Sequence, residues 1–140
     1  MTSRRLITVL GLGAVAALAL TGCVPNNPGD TDATSLTVDS SASECVVSAT
    51  EAPSGNVVFT VANSGDEVTE FYLLADDGLR IVGEVENIGP GIERNLVVQA
   101  RPGDYFTVCK PGMIGAGIGK AAFTVTDSGK DFAVDADLAE

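Results

Sequence analysis

Residues 105–113 read Tyr105-Phe106-Thr107-Val108-Cys109-Lys110-Pro111-Gly112-Met113. Tyr, Phe, Thr and Val suit a pleated, half-buried strand, and Pro111-Gly112 is a turn pair that leaves the ladder. At that break stand a cysteine and, four residues on, a methionine. A thiolate and a thioether on one short segment form a soft donor pair of the kind that suits copper. Imidazole, the commonest side-chain ligand, is missing, because the chain contains no histidine.

Working outward, short apolar runs recur every eight to twelve residues, at 36–38, 45–47, 56–63, 70–74, 80–85, 93–99 and 121–126. Turn signals separate them: Ser64-Gly65-Asp66, Asp76-Asp77-Gly78, Ile88-Gly89-Pro90-Gly91 and Arg101-Pro102-Gly103-Asp104. Glu51-Ala52-Pro53-Ser54-Gly55 reads as a break. With the run at 105–109 this predicts an all-β sandwich of seven to eight strands over 36–126. No segment carries a sustained helical period, and 115–119 holds too much glycine for a stable helix. A domain this small buries a modest core, so a disulfide or a metal is expected to support it.

The amino-terminal end reads differently. Arg4 and Arg5 precede an apolar run at 6–20, which falls short of the roughly 20 apolar residues that span a bilayer. Residues 1–22 are read as an export leader. The run closes Leu20-Thr21-Gly22-Cys23, which resembles the lipobox of bacterial lipoproteins. That resemblance implies that Cys23 becomes the lipid-modified first residue of the mature chain, anchored outside the membrane, in the periplasm or at the cell surface. The alternative is cleavage nearby, with Cys23 an ordinary thiol. Residues 23–35, rich in Pro, Asn, Asp and Thr, read as a flexible tether. The acidic stretch 127–140 reads as a tail or as a linker to a further domain.

All 19 Asp and Glu follow Cys23, whereas Arg4 and Arg5 leave with the leader, so 6 basic groups face 19 acidic ones, a net charge of −13. Such a chain carries no basic footprint for nucleic acid. It would be repelled by an anionic surface unless a lipid held it there, and its field attracts cations. With Cys23 assigned to lipid, Cys45 and Cys109 remain, in an oxidising compartment where two cysteines pair by default. A staple closing so long a loop stabilises by about 4 kcal/mol on the chain-entropy model.

The runs Thr69-Glu70-Phe71-Tyr72-Leu73-Leu74, Arg80-Ile81-Val82-Gly83-Glu84-Val85-Glu86-Asn87-Ile88-Gly89-Pro90-Gly91 and Cys109-Lys110-Pro111-Gly112-Met113 resemble the cupredoxin-like domain of the EfeO family, extracytoplasmic components of bacterial iron-uptake systems. The resemblance covers 36–126 and implies a cupredoxin-like Greek-key β-sandwich. It also implies metal binding through cysteine and acidic ligands, here Cys45, Glu70 and Cys109, with Glu70 in the place of a histidine after Asn63-Ser64-Gly65. Met113 joins the set by spacing alone. The implied partners are an EfeU-type permease, an EfeB-type haem-peroxidase-like protein and an imelysin-like protein or domain.

Two thiolates, one carboxylate and a thioether mix soft and hard donors, a set that suits copper or iron but lacks the imidazoles of a rapid blue-copper electron carrier. Each member has a plainer reading. Cys45 and Cys109 form a disulfide as readily as a ligand pair, Glu70 could be a solvated edge residue, and Met113 could fill the core. Asp76, Asp77, Glu84 and Glu86 read as a solvated face more readily than as a second cation site. The glycines of 112–119 precede no helix and fail as a phosphate loop. Without histidine, and with no third group to orient a cysteine, nucleophilic catalysis has no general base; the chain reads as a non-enzyme. Two functions remain open: a lipid-anchored metal-binding module of an iron-uptake system, and a disulfide-stapled interaction module without metal.

Overall fold

A computed structural model of the chain describes residues 33–129. The leader, Cys23, the tether up to residue 32 and the tail beyond residue 129 lie outside the described residues.

Nine strands and one short turn of 3-10 helix follow one another: β1 Thr34–Ser40, β2 Cys45–Val47, β3 Glu51–Pro53, β4 Gly55–Asn63, β5 Thr69–Leu74, β6 Ile81–Ile88, β7 Glu93–Ala100, β8 Gly103–Cys109, the turn Pro111–Met113, and β9 Ile118–Thr126. They form two sheets, ordered β2-β1-β4-β7 and β3-β9-β8-β5-β6. The all-β sandwich expected from the spacing of apolar runs is present, with one strand more than expected. Residues 51–53, read above as a break, form β3 because they pair in parallel with β9, Glu51 to Thr124 and Pro53 to Thr126. Pro53 is tolerated there because β3 is an edge strand.

Alternation builds the core. Leu36 and Val38 of β1, Phe59 and Val61 of β4 and Leu96 and Val98 of β7 face Phe71 and Leu73 of β5 and Phe123 and Val125 of β9. Phe59 is fully buried at the centre, with its ring centroid 5.3 Å from Phe71 and 5.5 Å from Phe123. The β5–β8 sheet also covers its outer face, where Tyr72, Leu74 and Val108 pack with Phe106. This second layer explains why every residue of β5 is buried.

The sandwich has two poles. Ser40, Asn63, Thr69 and Cys109 lie at the upper one, where the Ser40 and Thr69 hydroxyls share a buried 2.7 Å hydrogen bond between the sheets. Asn63 ties the upper loops: its amide donates to the carbonyls of Glu67 and Ile88, and its side-chain oxygen accepts from Gly65 N–H. At the lower pole β1 begins beside Val57, and Ser128, just past β9, is hydrogen-bonded to Ser54.

Candidate functional site

Cys109 ends β8 and Cys45 begins β2, so one cysteine comes from each sheet at the upper pole. They are joined in a disulfide, with S–S 2.04 Å and Cα–Cα 5.5 Å. Cys109 is fully buried, on the core face opposite Phe71. Two glycines make room for the bridge. A Cβ on Gly119, at φ +61°, would lie 2.6 Å from Cys45 Cβ, and one on Gly117, at φ +84°, would lie 2.6 Å from the Cys109 carbonyl oxygen.

Glu70 is a close neighbour in the ladder but stands on the other face. Its N–H and C=O pair with Lys110 across the β5–β8 boundary, so it sits one residue out of step with the Phe71–Cys109 pair. Successive strand side chains point to opposite faces. Glu70 therefore projects outward with Tyr72, while Cys109 projects inward with Phe71. The Glu70 carboxylate is buried, accepts a hydrogen bond from the Tyr72 hydroxyl and lies 3.8 Å from Lys110 Nζ. That ammonium sits 4.8 Å above the Tyr72 ring, an arrangement that favours a cation over an aromatic face.

The expected set of Cys45, Glu70, Cys109 and Met113 is thus divided: the cysteines lie together in a disulfide, and the carboxylate faces the opposite side of the sheet. Met113 is neither core filler nor buried; it is 36% exposed at the rim of the upper pole. Among the described residues no three of the Cys, Asp and Glu side chains converge on one point. Asp76, Asp77, Glu84 and Glu86 are spread along a hairpin: Asp77 accepts from the N–H groups of Leu79 and Arg80 in the turn, whereas Glu84 stands opposite Tyr72. Those two N–H bonds hold the Asp77 carboxyl below its ordinary range. Without histidine, and with Cys109 bonded to Cys45, these residues do not fit a resident copper of the blue-copper kind.

Spacing alone singled out neither Tyr72 nor Lys110, although Tyr72 stands two residues from Glu70 and so had to share its face. Burial first, then its hydrogen bond to Glu70 and the negative charge of Glu70, Glu84 and Glu86, push the Tyr72 phenol well above its ordinary value of 10.0. The folded phenol holds its proton more tightly than the unfolded one, so its contribution to stability is whole below pH 10 and is lost as the pH rises further. Urea titrations between pH 9 and pH 12 are expected to show a falling midpoint in the wild type. In Tyr72→Phe the part of that fall due to Tyr72 should vanish; an identical slope in both proteins would remove Tyr72 as its source.

No family model matches the chain. Over 82 residues, 59% of its length, the chain is 32% identical to the iron uptake system component EfeO of Yersinia pestis, and equally so to that of its Antiqua strain. It spans about a fifth of those relatives, 21%. Among solved structures it superposes on reduced auracyanin of Roseiflexus castenholzii with a TM-score of 0.52 at 18% identity, over 66% of this chain and 97% of that one. Identity so low speaks for the fold alone. With its two packed sheets and this superposition, the described residues are a cupredoxin-like β-sandwich, similar in sequence to a segment of the iron-uptake component EfeO.

Proposed function

We propose that this chain is a non-catalytic, extracytoplasmic module of an EfeO-type iron-uptake system, lipid-anchored through Cys23, with iron as its cargo. Its partners in this reading are an EfeU-type permease, an EfeB-type peroxidase and an imelysin-like protein or domain. The 82-residue similarity to EfeO carries the reading, and the cupredoxin-like sandwich supports it. The disulfide narrows the chemistry. While Cys45 and Cys109 are bonded, neither offers a thiolate, and the Glu70 carboxylate stands on the other face of the sheet, hydrogen-bonded by Tyr72. Ligation by Cys45, Cys109 and Met113 would follow only after reduction, and would favour a soft ion such as Cu(I) over iron.

Native mass spectrometry of the unreduced chain, with and without iron or copper, tests this directly. The expected apo mass is two hydrogens below that of the free thiols at Cys45 and Cys109. With the bridge intact, any bound iron should be weakened by Glu70→Gln; after reduction a copper ion should add that Glu70→Gln does not disturb. Tight copper binding by the unreduced chain would overturn this division. Iron accumulation in cells lacking the chain tests the wider reading, and an undiminished rate would remove the protein from uptake.

A further inference from the structure

The upper pole carries an exposed apolar cluster that the staple does not account for. Ile92 is 51% exposed, Val68 37%, and Ile114 77%, beside Met113. The bond from Gly112 N–H to Val68 C=O holds the Val68 loop against the Pro111–Met113 turn, while Ile92 is tied to the end of β4 by the bond from Asn63 N–H to its C=O. Alongside lies a depression of about 380 Å³ lined by Ala42, Pro111, Ile114, Ile118, the 115–117 loop and one charged side chain, Glu67. Among the described residues no cationic side chain pairs with Glu67; the one salt bridge at this pole commits Lys110 to Glu70. Asp66 and Glu44, both exposed, stand on neighbouring loops. The described residues begin and end at the other pole.

We infer that the upper pole docks a protein partner that presents an arginine flanked by apolar residues. The arginine stem lies across Pro111, Ile114 and Ile118, its guanidinium meets the Glu67 carboxylate, and the flanking apolar groups cover Val68 and Met113. Three features select this occupant. A long basic side chain can spread an aliphatic stem on apolar surface while its charged head meets a carboxylate. Apolar contact at the centre with charge at the rim is the usual anatomy of an interface. The described residues carry 13 acidic against 5 basic groups, a net charge of −8, which also steers partners of opposite sign toward the domain. The inference concerns the docking face, needs no metal, and stands whether or not the transported ion is iron.

The test is an amide-resolved NMR titration of the ¹⁵N-labelled chain, bridge intact, with an acetylated peptide centred on Leu-Arg-Leu. A Ser-Arg-Ser peptide of equal charge is the comparison. Saturable shifts confined to residues 66–68 and 111–118 are expected, weaker at higher salt. Glu67→Gln and the Ser-Arg-Ser peptide should each lower the affinity about five- to tenfold. Ile114→Ser should do the same while leaving the remaining amide spectrum in place, which separates lost contact from lost fold. Shifts scattered over acidic groups of the whole domain, shifts centred on the exposed Leu79 and Ile81, equal binding of both peptides, or no saturable binding at millimolar peptide would each overturn the inference.

Discussion

Replacing Cys45 and Cys109 together by alanine should lower the stability of the sandwich by about 4 kcal/mol. The bridge spans 64 positions, and cross-linking removes from the unfolded chain a loop-closure entropy that grows with the logarithm of that span. Position adds to length. The bond ties β2, a three-residue edge strand held to β1 by three paired positions, to β8 inside the opposite sheet. Domains of this size are stable by only about 5–15 kcal/mol, so the loss is a large fraction of the whole, about 20 °C or more in Tm. Urea unfolding of the wild type, the wild type under reductant and the double variant checks it. The last two should coincide, well below the first. A loss under 1 kcal/mol would mean that the bridge holds a geometry the fold reaches unaided.

Phe59→Ala should cost about 3–5 kcal/mol. The ring is fully buried and meets Phe71 and Phe123 of the opposite sheet, tilted to the first and edge-on to the second. Its removal leaves a hole between the sheets where rigid strand backbones cannot close in, and it also forfeits two aromatic contacts worth about 0.5–1.5 kcal/mol each beyond their area. Phe59→Leu refills most of the volume and should cost roughly half as much. Urea midpoints at constant slope would establish both values. A Phe59→Ala loss below 1 kcal/mol would show that the two sheets are held elsewhere.

The sandwich could be read in the sequence because its strands carry β-formers between Gly, Pro and Asp turns, and 45–47 was placed to the residue. What escaped depended on pairing between distant segments. Glu51–Pro53 looks like a break because three residues and a proline carry no local strand signal; its partner, β9, lies some 70 residues on. The glycines of 115–119 speak against a helix without showing a strand, yet β9 begins at Ile118, and Gly119 is small because Cys45 lies against it.

The site shows the same limit more sharply. The resemblance grouped Glu70 with Cys109 as ligands; the ladder makes them near neighbours but on opposite faces, and the phase of β5 that decides this was hidden. A strand buried on both faces, Glu70-Phe71-Tyr72-Leu73-Leu74, offers no alternation from which to tell inside from outside. Nor could spacing distinguish a ligand pair from a disulfide, since both need the same two cysteines within reach. Glu67 carried no signal at all, being an exposed acidic residue among many; its significance comes from the loops that fold around it.

The parallel pairing of β1 with β4 sets the first described strand beside the start of β4, while Ser128 is bonded to Ser54 on the residue just before it. Entry and exit are therefore neighbours at one end of the sandwich. A unit whose ends meet can be inserted into a surface loop of an unrelated chain without stretching its host. It can also be circularly permuted, by a short join at that end and a cut in the exposed turn around Pro90 and Gly91. Such geometry makes the sandwich portable, able to stand at the front of a longer protein, within one, or alone.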